Sequence, residues 1–406
     1  MPVTFEHRTL DNGLRILAEI DPDAHSAASG FFVNTGARDE DPDIMGVSHF
    51  LEHMMFKGTE ELSAEEINRR FDAMGASNNA YTTSESTCFH AHILPERLDE
   101  ATTLLAKMLR PALRTEDFDL EKNVILEEIA MYKDNPFWVL YEEAVQRYFG
   151  THPLGHRVLG TSDTVSALTR DQMQGYFDHW YSSDNTTVSL AGRVDFDAAC
   201  QLIERETQSW KPTGATRNSQ MPEPNTEDFT LRDERINRGY LIAVSPAPDF
   251  TDERRYAAGM LMQVLGGSDN ARLHWALIET GIAEEAQSAY DPHHGAGDFF
   301  VYASGEPDRL DRILSIIDDE IAKLADSISE PDLERIRARM ATAATLGGER
   351  PADRMQRVGR QWLAHGKYRS LEEELEHIRA VTVADLKEVA AAFPLGQRTI
   401  GRLLPE

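Results

Sequence analysis

Cysteine is almost absent from this chain: Cys88 and Cys200 are the only two thiols in 406 residues. Two thiols supply neither a disulfide framework nor a thiolate metal cluster. No apolar run approaches the ~20 residues that a helical membrane span requires. The opening residues, Met1-Pro-Val-Thr-Phe-Glu-His7, show neither the basic nor the apolar region of a secretory signal. A cytosolic setting without membrane association is therefore expected. Basic residues are also scarce: 41 Lys and Arg stand against 69 Asp and Glu, a net charge of −28. Nucleic acid and anionic membranes are poor partners for such a surface, because neutralising phosphates takes Lys and Arg. A strongly solvated surface accounts for the acidity. Hydrophobic residues at 41% and charged residues at 27% are globular proportions, which excludes wholesale disorder, collagen and coiled coil.

The length calls for two domains or more at ~100–200 residues each. Strand-like segments occur at Arg8–Ile20, broken by Asp11-Asn-Gly13, and at Ala28–Thr35, with a long strand expected over Asn78–Leu94. Helices are expected from about Gly46 to Phe56, from the capping sequence Ser63-Ala-Glu-Glu66 to Gly75, and over Thr115–Asp134 and Pro136–Phe149. The stretch from Lys211 to Glu227 holds Pro212, Gly214, Pro222 and Pro224 and almost nothing apolar, the composition of a linker. The second half echoes the first at an offset of about 213 residues: Thr187-Val-Ser-Leu-Ala-Gly192 corresponds to Thr399-Ile-Gly-Arg-Leu-Leu404, and Phe31-Phe-Val33 to Leu241-Ile-Ala243. The expected fold class is α+β, two homologous domains, each a mainly antiparallel sheet covered by helices. The boundaries expected are 1–210, a linker at 211–229, and 230–406.

The chemistry concentrates in Gly46-Val-Ser-His49-Phe-Leu-Glu52-His53-Met. His49 and His53 are four apart, so a helix puts both imidazoles on one face, able to share one Zn²⁺. Glu52 beside them brings a carboxylate to the same place. A catalytic zinc keeps three protein ligands and one open position, so a third ligand is required. The helix Glu121-Lys-Asn-Val-Ile-Leu-Glu-Glu128-Ile offers two candidates, Glu121 and Glu128, two turns apart on one face among Val124, Ile125, Leu126 and Ile129. An H-x-x-E-H pattern alone also describes a solvated helix face, and a Glu pair is ordinary surface charge. His90 and His92 share a strand face too, where paired histidines usually serve packing.

Taken together, these motifs resemble the pitrilysin or inverzincin superfamily of zinc peptidases, through His49-Phe-Leu-Glu-His53-Met, Phe56-Lys-Gly-Thr59 and the distance from His53 to Glu128. The resemblance extends over essentially the whole chain, more loosely through Gly266-Gly267, Arg272 and Gly347-Gly-Glu349. It implies that His49, His53 and Glu128 hold one Zn²⁺ per chain, that Glu52 is the general base, and that Glu121 orients the ligands. It also implies that Asn79, Ala80 and Tyr81 present backbone to an extended peptide. The second half has Ala258–Gln263 where the first has its histidines, so one site per chain is expected. The activity implied is endopeptidase, inside a chamber closed by two chains, a homodimer in the simplest case and a heterodimer with a non-catalytic partner in another. One departure stands out: Ile278 and Glu284 occupy the places where catalytic relatives carry Arg and Tyr. Tyr290 or His274 could substitute for them, or activity is low and the chain serves as a peptide-binding or scaffold subunit.

Overall fold

The computed structural model describes residues 3–218, 220–267 and 269–406. Among these residues eleven strands form two sheets. The six-stranded sheet contains β1 (Thr4–Thr9), β2 (Arg15–Ile20), β3 (Ala27–Val33), β4 (Ser77–Thr82), β5 (Thr87–Ile93) and β6 (Thr186–Gly192), in the order β1-β2-β6-β3-β5-β4. The five-stranded sheet contains β7 (Asp228–Arg232), β8 (Gly239–Ala247), β9 (Glu285–His293), β10 (Ala296–Gly305) and β11 (Thr399–Leu404), in the order β7-β11-β8-β10-β9. Leaving out β1, the two orders are the same, each with one parallel pair (β2 with β6, β7 with β11) among antiparallel neighbours. The repeat seen in the sequence thus lands on equivalent strands: Thr187–Gly192 lies in β6 and Thr399–Leu404 is β11, while Phe31 and Leu241 lie in β3 and β8. The α+β class with mainly antiparallel sheets holds. The strand expected over Asn78–Leu94 is instead the hairpin β4–β5. The Thr83 Oγ1 accepts from the backbone N–H groups of Glu85 and Ser86 and folds the chain back between them.

Strands β3 and β6 are buried at every residue, as strands covered on both faces must be. One cover of β3 is the helix Leu98–Met108; β2, β3 and β6 also pack against the helix Pro351–His365, which comes from the far end of the chain. Met355 closes a cluster with Ala28, Phe32, Cys88 and Ala191, and Arg357 reaches the buried Glu19 of β2 at 2.6 Å. Gly359 allows this close approach, since a Cβ there would overlap the Phe32 ring. The reverse holds for the helix Pro136–Phe149, whose Leu140, Ala144 and Tyr148 pack with Ile242, Val244 and Leu403 of β8 and β11.

The compact units are therefore not the continuous halves 1–210 and 230–406. One unit comprises 1–130, 156–218 and 346–369; the other comprises 131–155, 219–345 and 370–406. The apolar spacing of these two helices is that of any amphipathic helix, and which sheet they cover is a tertiary choice. The described residues of the linker-like stretch are coil, but Arg217 within it is anchored, its guanidinium bidentate to Asp39 at 2.8 and 2.7 Å. Among the described residues no helix is long and apolar enough to cross a membrane.

Candidate metal centre

The histidine helix runs Val47–Met55, and only His53 in it is not buried. It starts at Gly46, whose φ of 96° and position against the Leu159 carbonyl leave no room for a side chain. No side chain at the cap position can satisfy its first N–H groups. The buried Glu40 does so from six residues earlier, accepting from Gly46 N at 2.7 Å and Ser48 N at 2.8 Å. Burial pushes the Glu40 carboxyl up to about 8, against these hydrogen bonds. Ser48 Oγ in turn meets the Tyr176 hydroxyl at 2.7 Å, which also meets Thr35 at 2.6 Å.

His49 and His53 project from one face with ring centroids 4.8 Å apart. The helix Thr115–Lys133 brings Glu128 to them, with Oε2 3.8 Å from His49 Nε2 and 3.7 Å from His53 Nε2. Two donors ~2.1 Å from a tetrahedral zinc lie about 3.4 Å apart, so the two edges that meet at Glu128 are near that length, and all three donor atoms lie within 4.8 Å of one another. Burial, with the neighbouring charge of His53, pushes His49 down to about 4, which keeps its imidazole neutral as a ligand must be. The residues present fit a zinc ion.

The other glutamate meets the opposite side of the ring. Glu121, 4% exposed, has Oε1 2.9 Å from His53 Nδ1, and its other oxygen bonds Lys57. Burial disfavours its anion, but the bonds from His53 and Lys57 outweigh this and hold its pKa below the usual value. Burial likewise opposes an imidazolium at His53, yet the bond to Glu121 and the charges of Glu121, Glu128 and Glu52 leave its pKa raised. The carboxylate thus fixes Nδ1 as the protonated nitrogen and turns Nε2 toward Glu128. Glu52, 9% exposed, accepts a hydrogen bond from Thr82 Oγ1 at 2.6 Å. Burial raises its pKa despite that bond, the direction a proton carrier requires.

Asn79, Ala80 and Tyr81 lie on β4, which is the end strand of its sheet and so has one side open for pairing. Alternation along β4 puts Thr82 on the Glu52 side and Tyr81 on the other. There Tyr81, His90, His92, Arg350 and Arg360 line a cavity of about 340 Å³. His90 and His92 take no part in the three-ligand cluster. Ile278 packs at the edge of the apolar core around β8–β10, and Glu284 is exposed and paired with Arg238 at 2.7 Å. Of the two substitutes, Tyr290 donates to the Pro248 carbonyl at 2.8 Å and His274 contacts Glu279 at 3.2 Å. Val124, expected among the buried neighbours of the ligand helix, is 48% exposed, while Ile125 and Ile129 are buried. Sequence reasoning did not find Thr82, Lys57 or Glu40. Lys57 follows the motif by one turn and was visible as a cation near it; Thr82 reaches the site through a tertiary contact alone, and Glu40 folds back from six residues before the helix start.

A two-histidine helix completed by a glutamate from a second helix, with a buried carboxylate alongside, defines an inverted-zincin arrangement. The insulinase (peptidase family M16) profile matches residues 15–162 and the peptidase M16 inactive-domain profile matches 167–340. An uncharacterized zinc protease of Mycobacterium leprae is 34% identical over 391 residues, covering 94% of this chain and 87% of its own length. An uncharacterized zinc protease of Bacillus subtilis is 32% identical over 385 residues, covering 94% of each chain. The crystal structure of a protease from Helicobacter pylori superposes with a TM-score of 0.92 at 20% identity, over 99% of this chain and all of that one. This chain belongs to peptidase family M16.

Proposed function

We propose that the chain is a zinc-dependent endopeptidase acting on extended peptides. The observation that carries this is the convergence of His49 Nε2, His53 Nε2 and Glu128 Oε2 with Glu52 one residue from His53. Zinc held there would lower the pKa of a water and polarise a scissile carbonyl. Glu52 takes the proton from the attacking water and passes it to the leaving amine, its raised pKa bringing it nearer to neutral pH for both transfers. Thr82 keeps that carboxylate in one orientation. Glu121 and Lys57 hold the His53 ring. The open side of β4 pairs with substrate backbone, so that Asn79, Ala80 and Tyr81 bind with little regard to sequence. One catalytic zinc per chain and a homodimeric chamber go with this reading. Purified protein should cleave casein or insulin B chain until a chelator is added. Glu52→Gln should keep its zinc and lose turnover by about 10² to 10⁴, the usual worth of a positioned general base. Loss of metal in that variant would mean that Glu52 is a ligand instead.

A second reading is favoured by Ile278 and Glu284. The first is apolar, and the second is already paired with Arg238. Neither has the chemistry to stabilise a substrate carbonyl. A chain that binds zinc and peptide but turns over slowly, as a scaffold beside an active partner, would show zinc by elemental analysis and no products. Ile278→Arg with Glu284→Tyr would then raise turnover.

A further inference from the structure

A second cluster of metal-ligating groups lies in the five-stranded sheet. Asp291 of β9 and Asp298 of β10 are directly opposed in the antiparallel register, and His293 is two residues further along β9 on the same face. His293 Nε2 stands 3.1 Å from Asp298 Oδ1 and 3.9 Å from Asp291 Oδ2, and the three donor atoms all lie within 4.8 Å of one another. Like charges placed directly across a pair of strands repel, and this pair is not spread over open surface: Asp298 is 1% exposed.

The hydrogen-bond ledger does not balance around it. Asp298 Oδ2 is buried without a hydrogen-bond partner, and so is the hydroxyl of Tyr148, on the helix that covers this sheet. Burial, and after it the charge of Asp298, holds the Tyr148 phenol well above its usual pKa. Burial raises Tyr141 on the same helix as well, and the charges of Asp298 and Asp291 add to it. A buried anionic oxygen with no donor is destabilising unless a cation meets it.

We propose that Asp291, His293 and Asp298 form a second divalent-cation site, one that takes a first-row transition metal such as Mn²⁺ or Zn²⁺. Two carboxylates and one imidazole are a mixed hard and borderline donor set, suited to these ions. Donors held ~2.1 Å from one ion lie about 3.0 to 3.4 Å apart for octahedral and tetrahedral geometry, and the shortest pair here is already there. The Asp291 side chain is half exposed, which gives the ion a way in and leaves room for water in the remaining positions. The ion ties β9 to β10 and neutralises the Asp298 carboxylate, one oxygen of which the fold leaves unpaired. It does not depend on the His49 centre.

The test counts metal. Protein stripped with a chelator is dialysed against excess Zn²⁺, freed of unbound ion and measured by elemental mass spectrometry. The wild type should hold two equivalents per chain, Asp298→Asn and His293→Ala one each, and His49→Ala with His53→Ala one. Circular dichroism first establishes that each variant is folded. As a second readout, Mn²⁺ added to the His49→Ala, His53→Ala protein should raise its unfolding midpoint, and Asp298→Asn in that background should abolish the shift. One equivalent in the wild type that Asp298→Asn leaves unchanged, or no Mn²⁺ shift, would overturn the proposal and reduce the cluster to a His–Asp ion pair.

Discussion

Glu121 and Glu128 lie on one face of one helix and do different work, because they meet different atoms of the same histidine. Glu128 faces Nε2 of both rings, and Glu121 binds Nδ1 of His53. Glu121→Gln should therefore leave the ligand set in place but weaken zinc binding by about 10- to 100-fold, as the loss of a hydrogen-bonded carboxylate behind a ligand usually does. A competition titration with a chromogenic chelator measures this. Glu128→Gln, by contrast, should abolish stoichiometric binding at this centre. Glu40 carries the pH prediction. Burial raises its folded-state pKa to about 8 from an ordinary value near 4.5. The folded state thus binds this proton more tightly than the unfolded state does. The stabilisation is complete below pH ~4.5 and is lost as the pH rises through about 8, by at most ~1.4 kcal/mol for each pH unit between the two values. The unfolding midpoint of the wild type should fall between pH 5 and 8 by more than that of Glu40→Gln. Parallel profiles would show that the helix N-terminus holds Glu40 ionised throughout.

Helix ends were legible as local chemistry. Ser63 accepts from Glu66 N and Gly75 closes the same helix in the left-handed conformation, as the capping sequence implies. The break between β4 and β5 was not legible, because Thr83-Ser-Glu-Ser86 is polar without the Gly or Pro that usually marks a turn. The helix Pro351–His365 shows where packing overrides propensity. Gly359 sits inside it, where Ala would normally gain about 1 kcal/mol of helix propensity. The added methyl, however, would overlap the fully buried Phe32 ring, and overpacking costs typically about 1–3 kcal/mol. Gly359→Ala should lower the unfolding midpoint. An unchanged or higher midpoint would mean that the helix can shift off β3.

At the scale of the whole chain, each compact unit needs a helix from the other half of the sequence. A fragment ending near Trp210 keeps every metal-centre residue but lacks Pro351–His365, so Ala28, Phe32, Cys88 and Ala191 would face water. At ~25 cal/mol per Å² of apolar surface, losing the cover of one helix is comparable to the roughly 5–15 kcal/mol that stabilises a typical domain. The fragment should be aggregated or loosely folded, with dye-binding apolar surface and no cooperative thermal transition. Adding a 230–406 fragment should restore the transition. A fragment 1–210 that melts cooperatively by itself would show that the helix is a dispensable cover.

By itself the sequence determined the parts whose physics is local. Helical period put His49 and His53 on one face with Glu52 beside them, capping residues set helix ends, and the repeated strand pattern showed two sheets of one plan. Spacing on the second helix narrowed the third ligand to two glutamates, but a helical face does not say which nitrogen each carboxylate will reach. Tertiary structure decided that, by placing Glu121 behind the His53 ring and Glu128 in front of it. It also placed Thr82 on Glu52 and Glu40 on the helix start, and it opposed Asp291 to Asp298 across two strands. It assigned two amphipathic helices to sheets far from their neighbours in the chain. Helical or strand period sets none of these; most join residues distant in sequence, and an apolar stripe or a carboxylate carries no mark of the partner it will meet.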